Sequence, residues 1–151
     1  MACSFRFEHY KSVLHTYKAF GYNFDLNRTD ASKNILLMHD IDMRPQLAVK
    51  MGKAESEVGF KSIYFFRHAS PLYNLFSHDT LCVINDLSAM GHFTALHLEV
   101  PPMISNSNNY LDKLRGFVSE LKILNSPYFN LHEPSRTGIK YRPDDYNNFS
   151  I

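Results

Sequence analysis

The feature of this 151-residue chain that most constrains its fold is the alternation of short apolar runs with longer segments of helical period. Short runs at residues 35–38, 62–66, 93–98 and 128–131 predict strands. Helical spacing predicts helices at residues 5–20, 45–58, 77–90 and 109–124. Strands that alternate with helices of this length pair in parallel through right-handed crossovers. The sequence therefore predicts an α/β fold with a parallel sheet, in a single domain over residues 1–151.

The helix boundaries carry recognisable start and stop residues. Pro45 suits the first turn of the second helix, and Gly59 suits its C-terminal stop. Ser77 is the candidate N-cap of the third helix, and Gly91 ends it. The face of the second helix that keeps the apolar period comprises Leu47, Ala48, Met51, Ala54, Glu55 and Val58.

Composition narrows the class of partner. The 16 Lys and Arg residues nearly balance the 15 Asp and Glu residues, which disfavours nucleic acid and anionic membranes as partners. Because no window approaches the ~18 apolar residues of a membrane span, no membrane insertion is expected. Cys3 and Cys82 lie far apart without CxxC spacing, as expected for reduced thiols. We therefore expect a soluble cytoplasmic protein.

Acidic and imidazole side chains recur where the predicted strands end. Asp40 and Asp42 follow the first strand, His97 ends the third, and His132 follows the fourth. Ligands of parallel sheets bind outside the carboxyl ends of the strands, so these side chains are expected to converge. One carboxylate can bind a divalent cation while the other acts as general base, and imidazole suits zinc and other transition metals.

Each of these residues also has a simpler interpretation. A single Asp after a strand is more often an N-cap, and a single His there is more often structural. His92 precedes its strand, so a packing or C-cap role is expected for it. Glu99 alternates in phase with His97, although a solvated acid explains it as well. The recurrence at one sheet edge favours the functional interpretation.

The stretch His39-Asp40-Ile41-Asp42 resembles the first motif of a branch of the polysaccharide deacetylase family, the NodB-homology carbohydrate esterases, in which that motif is His-Asp-Val-Asp. Residues 45–59, 62–66 and 91–99 add further similarity, and the resemblance spans about residues 35–135. It implies a distorted (β/α) barrel that holds a divalent metal, most often zinc. The substrate implied is an acetylated sugar or polysaccharide precursor, which loses an N- or O-acetyl group.

The resemblance also implies roles for individual residues. Asp40 matches the general base, Asp42 a metal ligand, and His97 the first histidine of the second motif. Pro101 stands where many members have another histidine, and His132 is the candidate to replace that ligand. Glu133 stands where the branch has an arginine that orients the base, and Arg136 is the candidate substitute for it.

Two alternatives remain beside the deacetylase. The predicted strands are fewer than a family barrel has, so we expect a partial or truncated barrel that lacks its C-terminal part. A catalytically impaired homologue could act in carbohydrate binding or assembly, and the 12 Phe and 9 Tyr residues could then serve a homo-oligomer. Asp40-Ile41-Asp42 also resembles the start of haloacid-dehalogenase-type phosphatases, but Arg44 occupies a position that needs Thr or Val there.

Overall fold

A computed structural model describes residues 6–24, 33–98, 124–125 and 129–131. Its elements are, in chain order, α1 (Phe7–Ala19), β1 (Asn23–Phe24), β2 (Asn34–Ile35), β3 (Met38–Ile41), α2 (Pro45–Val58), β4 (Ile63–Arg67), α3 (His78–Ala89), β5 (Phe93–Leu98) and β6 (Phe129–Leu131). The expected helix at residues 109–124 lies outside the described residues except at its last position. No helix in the described ranges is long and apolar enough to cross a membrane.

All strand pairs in the described residues are parallel, as the alternation of strands and helices predicts. The main sheet has the order β3-β4-β5-β6, and β1 pairs with β2 in a separate two-stranded sheet. The α/β class with a parallel sheet is therefore confirmed. The described strands form an open sheet and not a closed barrel.

The first strand of the main sheet begins three residues later than the sequence predicts. The expected strand at 35–38 was placed on an apolar run, but the pairing segment is the more polar Met38–Ile41. Ile35 instead pairs with Phe24 in the small sheet. The prediction was wrong because β3 is an edge strand of the main sheet and needs no continuous apolar run. His39 and Asp40 consequently lie inside the strand.

Helices α2 and α3 cover one face of the main sheet. The core between them and the sheet is formed by Ala48, Tyr64, Phe66, Leu75, Val83, Ile84, Leu87, Leu96 and Leu98. The other face is packed by Ile63, Phe65 and Ala95, with Phe24, Leu36 and Phe93 at its border. Because side chains alternate along a strand, His39 and Ile41 face the helices whereas Asp40 faces the opposite side.

Helix α2 is bounded by Pro45 and Gly59, and Gly52 within it allows close packing against neighbouring elements. Pro45 begins the helix, and Gly59 ends it with a left-handed φ of 82°, which a residue without Cβ adopts readily. At Gly52 an added Cβ would lie 2.7 Å from Leu87 Cδ2 and 3.1 Å from His92 Nε2. This glycine allows α2 to approach α3 and the start of β5 closely. The backbone behind β3 is thereby held firmly.

The third helix follows its sequence signals. Ser77 accepts a hydrogen bond from the Thr80 backbone N–H at 3.3 Å, so the predicted N-cap is confirmed. The chain then passes through Gly91 at a φ of 81° and enters β5. His92 is 1% exposed, and its Nε2 lies 2.9 Å from the Gly52 carbonyl oxygen, which fits the expected packing role.

The main sheet is curved toward the face that carries Asp40. In a flat sheet, three strand spacings would separate β3 from β6 by about 14 Å, which is beyond the combined reach of two short side chains. Yet Asn130 Nδ2 on β6 donates a hydrogen bond to Asp40 Oδ1 on β3 at 2.7 Å. The sheet must therefore curl, and Asp40 lies on its concave side.

Candidate metal and acid–base site

The carboxyl ends of three strands bring their polar side chains to one place on the concave face. His97 of β5 pairs in register with Asn130 of β6, and both lie one level beyond Asp40. Asp42 follows directly after the end of β3. We call Asp40, Asp42, His97 and Asn130 the strand-end cluster.

The imidazole of His97 lies close to both acidic side chains of this cluster. Its Nε2 lies 3.6 Å from Asp42 Oδ1 and 4.0 Å from Asp40 Oδ2. The imidazole is only 3% exposed, whereas the side chains of Asp40 and Asp42 are 49% and 42% exposed. A buried nitrogen therefore lies beside two partly exposed acidic side chains, although Asp42 Oδ1, the oxygen nearest to it, is itself buried.

Asn130 fixes the orientation of both His97 and Asp40. Its amide nitrogen donates to Asp40 Oδ1, so its amide oxygen is the atom that contacts His97 Nδ1. An amide oxygen can only accept, and Nδ1 must therefore carry the hydrogen. In the neutral imidazole this leaves the lone pair on Nε2, directed at the two carboxylates. A hydrogen bond to the remote ring nitrogen is the usual way in which proteins orient a metal-binding histidine.

A positive charge between Nε2 and the carboxylates is favourable in this arrangement. Three electron-rich groups facing one another repel unless a proton on the imidazole or a cation offsets them. A divalent cation satisfies all three at once, since carboxylate oxygen and imidazole nitrogen are both accepted zinc ligands.

The separations fit two ligands of one ion better than three. Two ligands on a tetrahedral zinc with bonds of about 2.1 Å lie about 3.4 Å apart. The distance from His97 Nε2 to Asp42 Oδ1 is close to this value, while the distance to Asp40 Oδ2 is longer. Consistently, the described part of the chain has no group of three or more His, Cys, Asp or Glu side chains set to hold a metal ion. The donors fit a cation held by Asp42 and His97, with Asp40 beside it.

The loop after β4 holds the end of β3 in position. The Tyr73 hydroxyl donates to the Ile41 carbonyl oxygen and accepts from the Arg67 backbone N–H, both at 2.6 Å. Burial raises the pKa of Tyr73 to about 12, so this hydroxyl keeps its proton. The Ser70 hydroxyl donates to the Asp42 carbonyl oxygen at 3.1 Å. Asp42 is thus fixed through its backbone although it lies outside the strand.

The carboxylate of Glu55 lies on the opposite face of β3, where it contacts His39. Glu55 of α2 is 0% exposed, and its two oxygens accept four hydrogen bonds of 2.5–2.6 Å. The donors are Tyr10, His39, Ser62 and Tyr64. We call these five residues the Glu55 network. They join α1, β3, α2 and β4 through one buried group.

Electrostatics keep Glu55 ionised despite its burial. Burial alone would raise its pKa, but the hydrogen bonds from His39, Ser62 and Tyr10 outweigh this and hold the pKa below the ordinary 4.5. Burial and the carboxylate raise the pKa of Tyr10 and Tyr64 far above that of a free phenol. The two phenols therefore keep their protons and remain bound to Glu55.

The structure brings together three of the four residues that the sequence nominates. Asp40, Asp42 and His97 meet as expected, and their metal and base roles remain predictions. His132, the fourth candidate, lies outside the described residues, as do Glu99, Pro101, Glu133 and Arg136.

Sequence reasoning missed two polar residues of this face. Asn130 lies between Phe129 and Leu131 and pairs in register with His97, so its polarity inside an apolar run was the available signal. Arg67 ends the apolar strand β4 and also pairs with His97, which adds a positive charge at this level of the sheet. That both residues lie beside His97 follows only from the strand register.

Comparison with known proteins gives no assignment. No protein-family model matches the chain, and neither curated proteins nor solved structures show a match. The fold and the site define an α/β protein with a carboxylate–imidazole cluster at its strand ends, and function must be argued from that cluster.

Proposed function

We propose that this protein is a metal-dependent hydrolase that removes an N- or O-acetyl group from a carbohydrate, such as an acetylated sugar or polysaccharide precursor. The observation that carries the proposal is the position of His97 Nε2, 3.6 Å from Asp42 and 4.0 Å from Asp40. The resemblance of residues 39–42 and 91–99 to polysaccharide deacetylases supports the same conclusion. The curvature of the main sheet is compatible with a partial barrel of that family.

Asp42 and His97 are the residues that would hold the divalent cation, proposed to be zinc, with His132 as a proposed third ligand. A bound cation supplies Lewis acidity, which makes water more acidic and an acyl carbonyl more electrophilic. Asp42 contributes the negative charge that attracts the cation, and His97 contributes a nitrogen whose tautomer Asn130 fixes.

Asp40 is the proposed general base. One of its oxygens is held by Asn130, and the other faces the space beside His97 Nε2. In the reaction the oxygen of water bonds to the acyl carbon, and the C–N or C–O bond breaks. Asp40 takes the proton from water and returns it to the leaving amine or alcohol, so that the free sugar group and acetic acid result, and the acid ionises to acetate by releasing its proton to the amine or to solvent.

Asn130 supplies the orientation that the deacetylase resemblance assigns to an arginine. Glu133 stands at that arginine's position in this chain. A neutral amide fixes the orientation of Asp40 through one hydrogen bond and adds no formal charge beside it. The proposed mechanism therefore does not depend on an arginine next to His132.

The decisive experiment compares turnover with metal retention. The zinc-loaded protein is assayed for acetate release from N-acetylglucosamine oligomers, as are Asp40→Asn and the control Asp86→Asn, an exposed residue on α3. Loss of the base is expected to lower kcat by about 10²–10⁴-fold with zinc content unchanged. The control variant is expected to match the parent.

The proposal fails if Asp40→Asn hydrolyses the substrate as fast as the parent. Bound zinc without turnover of any acetylated sugar would instead favour an impaired homologue that binds carbohydrate or assembles with itself. Analytical ultracentrifugation of the same sample then tests the self-association that this alternative predicts.

A further inference from the structure

A cavity of about 500 Å³ opens beside the strand-end cluster, along the outer edge of β3. Asp40 and Asp42 form part of its wall, and the rest comes from β3, the start of α2 and Phe7 of α1. Whatever occupies this cavity therefore lies beside the segment at the end of β3 that carries the two acids of the proposed catalytic site.

Apolar side chains form most of the cavity wall, with Asp40, Asp42 and Arg44 as its charged residues, and several of the apolar side chains are exposed to solvent. Met38, Met43 and Leu47 are 54%, 63% and 48% exposed, and Phe7 is 40% exposed. Met51 adds a further flexible apolar side chain. Exposed apolar side chains that gather around one concavity indicate an apolar ligand, and methionine adapts its shape to flexible chains.

Besides Asp40, Asp42 and Arg44, the cavity wall contains two polar residues whose hydrogen-bonding atoms already bind Glu55. His39 and Tyr64 line the cavity, but their polar side-chain atoms are bound to Glu55. A sugar ring placed along Met38, Met43 and Leu47, away from the charged residues, would bury hydroxyl groups against apolar side chains, which is unfavourable. An aliphatic chain has no such requirement.

We propose that this cavity binds the aliphatic chain of an acyl group longer than acetyl, so that the substrate class is a sugar with a medium-length N- or O-acyl chain. The inference rests on the proposed function and names the acyl group that the site accepts. An acetyl group has a single methyl and would leave most of the cavity unfilled. The acyl carbonyl lies at Asp40 and Asp42, and the chain runs along Met38, Met43 and Leu47.

Direct binding tests this without requiring catalysis. The affinities of N-acetyl-, N-butanoyl-, N-hexanoyl- and N-octanoylglucosamine are measured by calorimetry on the full chain. Each buried methylene is expected to tighten binding about fourfold until the cavity is filled. Leu47→Gln is expected to reduce this dependence on chain length. The control Leu72→Gln, an apolar residue that is 62% exposed outside the cavity, is expected to retain it.

The outcomes separate this inference from the proposed function. Equal affinity for all four sugars, or the same chain-length dependence in Leu47→Gln and the parent, would overturn the acyl-chain site. Hydrolysis of the acetyl sugar alone would do so too, while the hydrolase proposal stands. Chain-length dependence of binding without any hydrolysis would support the cavity assignment and contradict the hydrolase.

Discussion

Strand β3 separates two carboxylate–imidazole clusters that differ in almost every physical respect. On its helix-facing side, the Glu55 carboxylate is buried and accepts four hydrogen bonds. On its concave side, Asp40 and Asp42 are nearly half exposed and face a buried imidazole nitrogen. A buried charge with every hydrogen bond made is a structural feature, whereas clustered acids open to solvent are available for chemistry.

The two clusters differ in role: the strand-end cluster is the candidate functional site, and the Glu55 network stabilises the fold. His39 and Asp40 are adjacent in sequence, yet the alternation of the strand sends one to each cluster. The Glu55 network holds β3 from behind, which keeps the strand-end cluster in place. Substitutions in the Glu55 network should therefore lower stability, and substitutions in the strand-end cluster should lower metal binding or turnover.

The largest effect is expected from Glu55→Ala. Removing the carboxylate leaves four donors without this acceptor, two of them fully buried, and we expect a loss of about 3–5 kcal/mol in the free energy of unfolding. Urea denaturation followed by circular dichroism measures it. The control Glu57→Ala changes an exposed glutamate of the same helix and is expected to leave stability nearly unchanged. Similar losses of unfolding free energy in both variants would show that the Glu55 network does not specifically stabilise the fold.

A smaller effect, confined to function, is expected from Asn130→Ala. Without the amide, His97 and Asp40 lose their orientation, and metal affinity or kcat/KM should fall about 10–100-fold. Asn130→Asp sharpens the test, because it keeps an acceptor for His97 Nδ1 but loses the donor to Asp40. We expect this variant to retain zinc and lose turnover. Full activity in both variants would contradict the role given to Asn130.

Acid should weaken the Glu55 network. The folded-state pKa of Glu55 is lowered, so its contribution to stability is present above its ordinary pKa of 4.5 and is lost as pH falls through the folded value. A single carboxyl contributes a slope of at most about 1.4 kcal/mol per pH unit. Unfolding free energies between pH 3 and pH 6 should fall less steeply for Glu55→Gln than for the parent. Identical slopes would exclude Glu55 as the titrating group.

The smallest effect on stability is expected in the strand-end cluster. Asp40→Asn and Asp42→Asn change half-exposed side chains, and we expect each to shift the free energy of unfolding by no more than about 0.5 kcal/mol. A gain in stability upon removing either charge would sharpen the contrast, because it would reveal repulsion that a cation normally offsets. A loss of unfolding free energy as large as that of Glu55→Ala would contradict the difference in role between the two clusters.

These two clusters also show what the sequence can and cannot predict. The meeting of Asp42 with His97 followed from the rule that parallel strands end at one edge. The position of Glu55 on the apolar face of α2 was visible in the helical period, but its donors come from α1, β3 and β4. Such a network depends on tertiary packing, which periodicity does not encode.

The predicted position of the first strand of the main sheet was wrong for a related reason. An apolar run predicts a buried strand, but the residues that pair with β4 include His39 and Asp40. Their partners are Glu55 and Asn130, which are distant in the chain. Polar residues therefore became acceptable in a strand because of contacts that only the folded chain provides.

Zinc binding by the strand-end cluster is the most direct test of the central claim. Isothermal titration of the metal-free protein with zinc should give one equivalent bound, and Asp42→Ala should lose at least about tenfold in affinity. The control Asp86→Ala, on the exposed side of α3, should bind as the parent does. Equal zinc affinity in the parent and in Asp42→Ala would contradict the account.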